Sequence, residues 1–477
     1  MTVRPEDEIR SFPDRMGHRT QVSAPLAATP ARRRRQFSPA QVLVLSFTGL
    51  ILSGAILLRL PISAAREPLT LLDALFTATS AVCVTGLIVV DTPNDLTAFG
   101  QLVILLLIQL GGLGYMAITT VVGVALGRQL SLHERLTLQE SLNVHSMEGL
   151  ARFVLTVLKL TLAFELTAAA ILTARWASEY GLGQAAYYGL FHAVSAFNNA
   201  GFALFSDSLM RFRGDWIVNL VVTTLVICGG LGFIVLTEVG RVRQFRRLST
   251  HTRLVLTLTA ALIVVTTAVI WFIERNNPHT LAPLGIGEGL LAAYFQAVTP
   301  RTAGFNTLDI GAMLPASLFL LILLMFIGAA PGGTAGGVKI STFSITVAVI
   351  WAMVRGNAEP TLLRRRIPPP LVARAFSICL IGFLALNIVA GLLLVTEGRD
   401  LLPTLFETTS AFGTVGLSMG EASAPVSLAG HFSGAGKVLV IGMMFMGRIG
   451  PLTLAVAIAR SRQIQRVRHP EGKFLIG

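Results

Sequence analysis

Four stretches of this chain carry the groups that a dehydrated monovalent cation needs. They read FTATSAVCVTG at 76–86, FHAVSAFNNAG at 191–201, FQAVTPRTAG at 295–304 and FETTSAFGTVG at 406–416. Each opens as a short amphipathic helix and closes in small residues ending on glycine. A cation stripped of water needs a ring of oxygens, which backbone carbonyls from several loops can supply without net charge. Glycine allows the unusual dihedrals that turn such carbonyls inward. The expected donors are Val84, Thr85 and Gly86; Asn199, Ala200 and Gly201; Thr302, Ala303 and Gly304; and Thr414, Val415 and Gly416. The helix before each loop would aim its carbonyl end, the negative end of its dipole, at the ion path. One such stretch alone would read as a surface loop capped by glycine; four at equivalent places argue for a pore. The third copy is one residue shorter, which leaves its register open.

The elements that must hold these loops follow from the spacing. The closing glycines lie 115, 103 and 112 residues apart, so the chain reads as a fourfold repeat. Apolar stretches at 42–58, 102–126, 216–236 and 375–395 approach or exceed the roughly 20 residues that span a ~30 Å hydrocarbon core. Non-helical backbone at membrane depth is tolerated where it lines a cavity or is buried in protein. The expected fold is therefore an all-α polytopic membrane protein. It has four parallel helix–pore loop–helix repeats, eight transmembrane helices, around a pseudo-fourfold pore. The expected divisions are a disordered basic arm at 1–37 and repeats at 38–128, 150–240, 253–355 and 368–460, followed by a cytoplasmic tail at 461–477.

Composition agrees with a membrane protein. Hydrophobic residues make up 53% of the chain and charged residues 13%, against about 25% charged in soluble domains; the mean hydropathy is +0.70. The net charge of +13 is gathered at 32–35, 241–253, 355–374 and 460–473, with a weaker group at Arg128, Arg135 and Arg152. These are the termini and the junctions between repeats. The positive-inside rule puts all of them in the cytoplasm, both termini included. Topology thus accounts for the charge without a nucleic-acid partner. Three cysteines and eight histidines lack metal-ligand spacing, so no transition metal is expected. No acid, histidine or serine cluster suggests an enzyme.

Two further features stand apart from the loops. The run GAAPGGTAGGVK at 328–339 interrupts what should be the second helix of the third repeat. Proline costs ~3 kcal/mol in a helix and each glycine ~1 kcal/mol relative to alanine. It is not a phosphate-binding loop, because Val338 rather than lysine follows Gly337. Arg448 lies in an apolar helix, where an arginine costs about 2.5 kcal/mol or more unless paired or wetted. Glu165, Glu238 and Glu407 read as structural partners or helix-end residues. The glycine clusters at 111–114 and 229–232 read as close helix packing, and 447–451 stands in the corresponding place of the fourth repeat.

With these motifs the chain resembles the Trk/Ktr/HKT superfamily of cation transporters, most closely the Ktr-type potassium-translocating subunit. The resemblance runs from about residue 41 to 460. It implies that the four loop glycines form a filter, and that glycine in all four goes with potassium rather than sodium preference. It implies that Gly328, Pro331, Gly332, Gly333, Thr334, Gly336, Gly337 and Lys339 belong to an intramembrane gating loop. Arg448 would be the pore-facing arginine, raising a barrier to cations and holding that loop closed. It further implies a homodimer in the lipid of a bacterial cytoplasmic membrane, and a separate cytoplasmic ring of nucleotide-binding regulatory subunits. No nucleotide or covalent cofactor is expected in this chain itself; potassium is the transported ion. Whether sodium acts as an activating or coupled ion stays open.

Overall fold

The structure, a computed structural model, describes residues 39–114, 150–242, 244–357, 359–420 and 425–458. The expected N-terminal arm, the 32–35 and 460–473 clusters, Arg128, Arg135, the stretch 115–128 and the C-terminal tail lie outside these residues.

The chain is helical. α1 (Pro39–Arg59), α2 (Leu71–Val82) and α3 (Ala98–Leu113) come first, then α4 (Leu150–Tyr180), α5 (Leu182–Phe197), α6 (Trp216–Leu231) and α7 (Phe233–Arg241). They are followed by α8 (Thr250–Glu274), α9 (Ile286–Val298), α10 (Pro315–Phe326) and α11 (Ile340–Val354). α12 (Pro369–Glu397), α13 (Leu401–Gly413), α14 (Gly434–Ile449) and α15 (Pro451–Ile458) follow, and a single helical turn at Thr92–Asp95 lies between α2 and α3. A two-residue antiparallel hairpin, Thr361–Leu362 with Arg365–Arg366, sits between α11 and α12.

Local signals explain the helix starts. The Thr70 hydroxyl accepts the Asp73 N–H at 3.1 Å and so caps α2. Asp215 caps α6 through the N–H groups of Ile217 and Val218, and Ser433 caps α14 through that of Gly436. Such caps satisfy donors that a helix leaves unpaired at its first turn. Pro315, Pro369 and Pro451 each begin a helix, where the missing N–H costs nothing.

Length and burial divide the helices into two kinds. α1, most of α4, α8 and α12 are long and apolar enough to cross a membrane. Their outer faces carry bare aliphatic and aromatic side chains, among them Ile56, Leu166, Val264, Phe272 and Val395. The short helices α2, α5, α9 and α13 form the core instead. Phe76, Phe191, Phe295 and Phe406, at their equivalent positions, are at most 2% exposed.

The helices that follow the short ones are bent. α6 and α7 meet at 100° and α14 and α15 at 98°. The apolar stretch at 216–236 is therefore not one straight crossing. The breaks fall at Gly232 and Gly450, with φ of 89° and 93°, and α3 ends in the same way at Gly114 with φ 75°. A hydropathy plot cannot register this, since the residues on both sides of each break are apolar. Left-handed backbone at a glycine ends the helical hydrogen bonding whatever the flanking hydropathy.

Candidate functional site

Each short helix ends in the same backbone figure. Val84, Asn199, Thr302 and Thr414 have φ between 50° and 70°, although none is glycine; two residues later Gly86, Gly201, Gly304 and Gly416 have φ between 70° and 93°. This pattern settles the register of the shorter third loop: Thr302, Ala303 and Gly304 correspond to Val84, Thr85 and Gly86, and the missing residue lies between Thr299 and Thr302. A non-glycine residue at positive φ costs about 1–2 kcal/mol, and here it recurs four times in one place.

The same four helices carry a hydroxyl four residues after the phenylalanine. Ser80 and Ser410 accept the N–H groups of Gly86 and Gly416 at 3.0 Å. Ser195 and Thr299 donate to the carbonyls of Phe202 and Phe305. These hydroxyls lash each loop to its own helix. Sequence reading did not single them out, though their constant offset was there to be seen.

The four loops close into a ring in chain order. A Cβ placed on Gly86 would stand 2.5 Å from the Ala200 carbonyl oxygen and 3.1 Å from the Gly201 Cα. One on Gly201 would meet the Gly304 Cα at 2.8 Å and the Ala303 oxygen at 2.9 Å. One on Gly304 would meet the Val415 oxygen at 2.5 Å, and one on Gly416 the Thr85 oxygen and the Gly86 Cα. The carbonyls of Thr85, Ala200, Ala303 and Val415 are thus all brought to the four glycines. A cavity of about 620 Å³ adjoins the ring, lined by these glycines and by Asp91, Asp207, Asp309 and Asp400. Glu407, fully buried on α13, organises its wall: it accepts the Ser418 hydroxyl at 2.6 Å and the Ala429 N–H at 2.9 Å.

Residues 327–339 run between α10 and α11 without helical structure. Their backbone is bonded into the rest of the molecule. Gly328 N–H donates to Val338, Ala330 N–H to Gly230, Thr334 N–H to Gly229 and Gly337 N–H to Gly447, while Phe233 N–H donates to Gly332. A Cβ on Gly336 would strike the Thr414 side chain, so this segment packs against the fourth loop. Lys339 turns back to the carbonyls of Ala335 and Gly336.

Asn199 joins three parts of the site. Its amide donates to the Arg301 carbonyl at 3.2 Å and its oxygen accepts the Thr334 hydroxyl at 3.1 Å. Arg448 also reaches this segment. It donates to the Thr334 carbonyl, to that of Gly111 at 2.6 Å and to that of Gly112 at 3.3 Å. Its partners are carbonyls and not a buried acid, so it bolts the 327–339 segment to the end of α3. Arg301, inside the third loop and 7% exposed, reaches Thr259 on α8; sequence reading passed over it as part of the loop.

The glycine clusters pack as expected and do more. A Cβ on Gly111, Gly229 or Gly447 would collide with the carbonyl of Val82, Phe197 or Phe412, at the ends of α2, α5 and α13. Each cluster therefore lets one helix touch the end of a short helix, and at the last glycine of each cluster that helix ends. Among the described residues, no group of three or more His, Cys, Asp or Glu side chains could hold a metal ion.

Comparison with known proteins agrees with this architecture. The profile of the TrkH family, cation transport proteins, matches residues 23–466. The chain is 44% identical to Ktr system potassium uptake protein B of Bacillus subtilis (strain 168), over 93% of this chain and 97% of that one. It is 39% identical to the Ktr system potassium uptake protein B of Vibrio alginolyticus, over 92% and 94%. It is 34% identical to the potassium/sodium uptake protein NtpJ of Enterococcus hirae, over 94% and 99%. These relatives are transport proteins and not enzymes. The crystal structure of the potassium transporter TrkH from Vibrio parahaemolyticus has the same fold, with a TM-score of 0.71 at 18% identity over 90% of this chain and 86% of that one. The chain belongs to the TrkH family of cation transport proteins.

Proposed function

We propose that this protein takes up potassium across the cytoplasmic membrane of a bacterium through a carbonyl-lined filter. The observation that carries the reading is the ring of Gly86, Gly201, Gly304 and Gly416, each set by the same pair of positive-φ residues. Four equivalent loops meeting at one point offer a cation oxygens from four sides, replacing its hydration shell. The 44%-identical relative is named for potassium uptake, which supports potassium as the ion. The name of NtpJ pairs potassium with sodium, and sodium is accordingly the ion to test as activator or competitor.

On this reading the four repeats divide at 38–128, 150–240, 253–355 and 368–460 and contribute eight crossings, with the bent pairs counted as one each. Both termini lie in the cytoplasm. The segment 328–339 is the gate, and its contact with the fourth loop supports a constriction directly beside the filter. Arg448 holds the gate through the Thr334 carbonyl. Two relatives are named as proteins of a Ktr system, which supports a partner subunit; its regulatory role, its place in the cytoplasm and a homodimer of this chain are part of the proposal.

The test is potassium uptake in a host lacking its own uptake systems. Growth at low potassium, abolished by Gly201→Ser at equal membrane abundance, is the expected result. Failure of the unaltered chain to support growth, alone and with its regulatory subunit, would contradict the proposal.

A further inference from the structure

We infer that the hairpin between α11 and α12 is a seat for anionic phospholipid headgroups of the cytoplasmic leaflet, an inference that rests on the membrane orientation proposed above. The hairpin joins two helices with bare apolar faces. The last turn of α11 leaves Trp351, Met353 and Val354 uncovered, the last of them 75% exposed, and the start of α12 does the same with Leu371 and Phe376. Apolar side chains bare on both flanks place residues 355–368 at the membrane surface, the level that tryptophan favours.

The segment is strongly basic. Between Val354 and Pro369 it carries Arg355, Arg364, Arg365 and Arg366 against the single acid Glu359, and Arg374 follows in α12. Glu359 is taken by Arg366 at 3.0 Å. Arg355 lies over the Trp351 ring, 4.5 Å from its centre. Arg364 and Arg365 are exposed and, among the described residues, have no ion-pair partner.

The segment also has a fixed shape. Thr361 pairs with Arg366 and Leu362 with Arg365, and the buried Ile367 donates its N–H to the Pro360 carbonyl at 3.0 Å. The tip residues Leu363 and Arg364 have φ of 48° and 62°, the geometry of a tight turn that usually takes asparagine and glycine. Here the tip carries an apolar and a cationic side chain instead, both exposed. A phospholipid offers the matching pair: a phosphate for the guanidinium forks and an apolar layer for Leu363 and Trp351. α11 begins at Ile340, directly after the 327–339 segment, so a headgroup held at its other end tethers the helix that follows that segment.

Quenching of tryptophan fluorescence by brominated lipid tests this, in vesicles of phosphatidylcholine and phosphatidylglycerol in equal parts with one lipid brominated at a time. Trp176 is fully buried, so Trp216→Phe/Trp271→Phe leaves Trp351 as the lipid-facing reporter. Phosphatidylglycerol is expected to be preferred beside Trp351 about fivefold, the attraction of one basic side chain to an anionic leaflet. Arg364→Gln/Arg365→Gln should abolish most of that preference. Arg246→Gln/Arg247→Gln removes as much charge from the exposed turn between α7 and α8 and should leave the preference in place. No preference, a preference that survives Arg364→Gln/Arg365→Gln, or an equal loss in Arg246→Gln/Arg247→Gln overturns the inference; the first result would leave the arginines to a protein partner. Should the reporter chain fail to insert, the melting temperature of the native chain in detergent with either lipid added makes the same comparison. Phosphatidylglycerol should raise it more than phosphatidylcholine, and by less in Arg364→Gln/Arg365→Gln; equal temperatures overturn the inference. Both leaflets of the vesicle carry the same lipids, so an inverted topology would leave the preference intact and appear only in thiol labelling from the two sides.

Discussion

Gly86 has room for hydrogen only. Its φ of 91° and the Ala200 oxygen, 2.5 Å from where a Cβ would be, leave a side chain two penalties at once. On the filter proposal, Gly86→Ser displaces the carbonyl ring without breaking the fold. Rubidium uptake should lose affinity and sodium should enter more readily, as read by competitive uptake in proteoliposomes. Unchanged selectivity would remove the first loop from the filter. Arg448 offers the complementary case. The sequence made it an arginine that is costly unless paired or wetted; the structure gives it three carbonyl partners. Arg448→Gln should therefore raise maximal flux, because Thr334 is released and a positive charge is gone. It should also lower the melting temperature, since a buried acceptor left without its donor costs ~1–3 kcal/mol. Flux that falls or stays level in folded protein would contradict the gate assignment. None of these partnerships was legible beforehand, because Arg448 and Gly111 are 337 residues apart in sequence.

At the scale of elements, the bent helices and the 327–339 segment depend on each other. Gly229, Gly230 and Gly232 supply a surface that the segment pairs with through its own backbone. Removing residues 330–335 takes away the bonds of Ala330, Gly332 and Thr334 together. On the proposal, that deletion raises flux and reduces dependence on any regulatory subunit, measured as rubidium uptake with and without that subunit. Loss of uptake in correctly inserted protein would make the segment a structural tie. The positions of the loops were legible from the recurring phenylalanine and glycine, and the interruption at 328–339 from its proline and glycines. The breaks at Gly232 and Gly450 were not. Composition reports how apolar a segment is, whereas the bends depend on φ at one residue and on what the helix meets. The third loop shows the same limit: its missing residue is visible in sequence, but only the backbone torsions tell where it was lost.

For the whole molecule, the helical membrane-protein class and the family were legible from hydropathy and the repeated motifs, and function followed from them. Orientation is a prediction that rests on charge. Ser206 is exposed near the aspartate-lined cavity, and Arg246 is exposed between α7 and α8. In a variant lacking the three native cysteines, Ser206→Cys should react with an impermeant thiol reagent on intact cells, and Arg246→Cys only after permeabilisation. The reverse pattern would invert the topology. The polar cluster that joins Gln109 of α3, Glu165 of α4 and Asn198 at the end of α5 was the least legible layer, since each alone reads as an ordinary polar residue. The central claim is that four loops from one chain share a single monovalent cation site. Crystals grown in rubidium chloride test it most directly, through anomalous scattering. The account predicts a peak between Gly86, Gly201, Gly304 and Gly416, reached by the carbonyls of Thr85, Ala200, Ala303 and Val415 and weakened in Gly86→Ser. Clear density for the ring, with rubidium bound elsewhere and none between the four glycines, would contradict it.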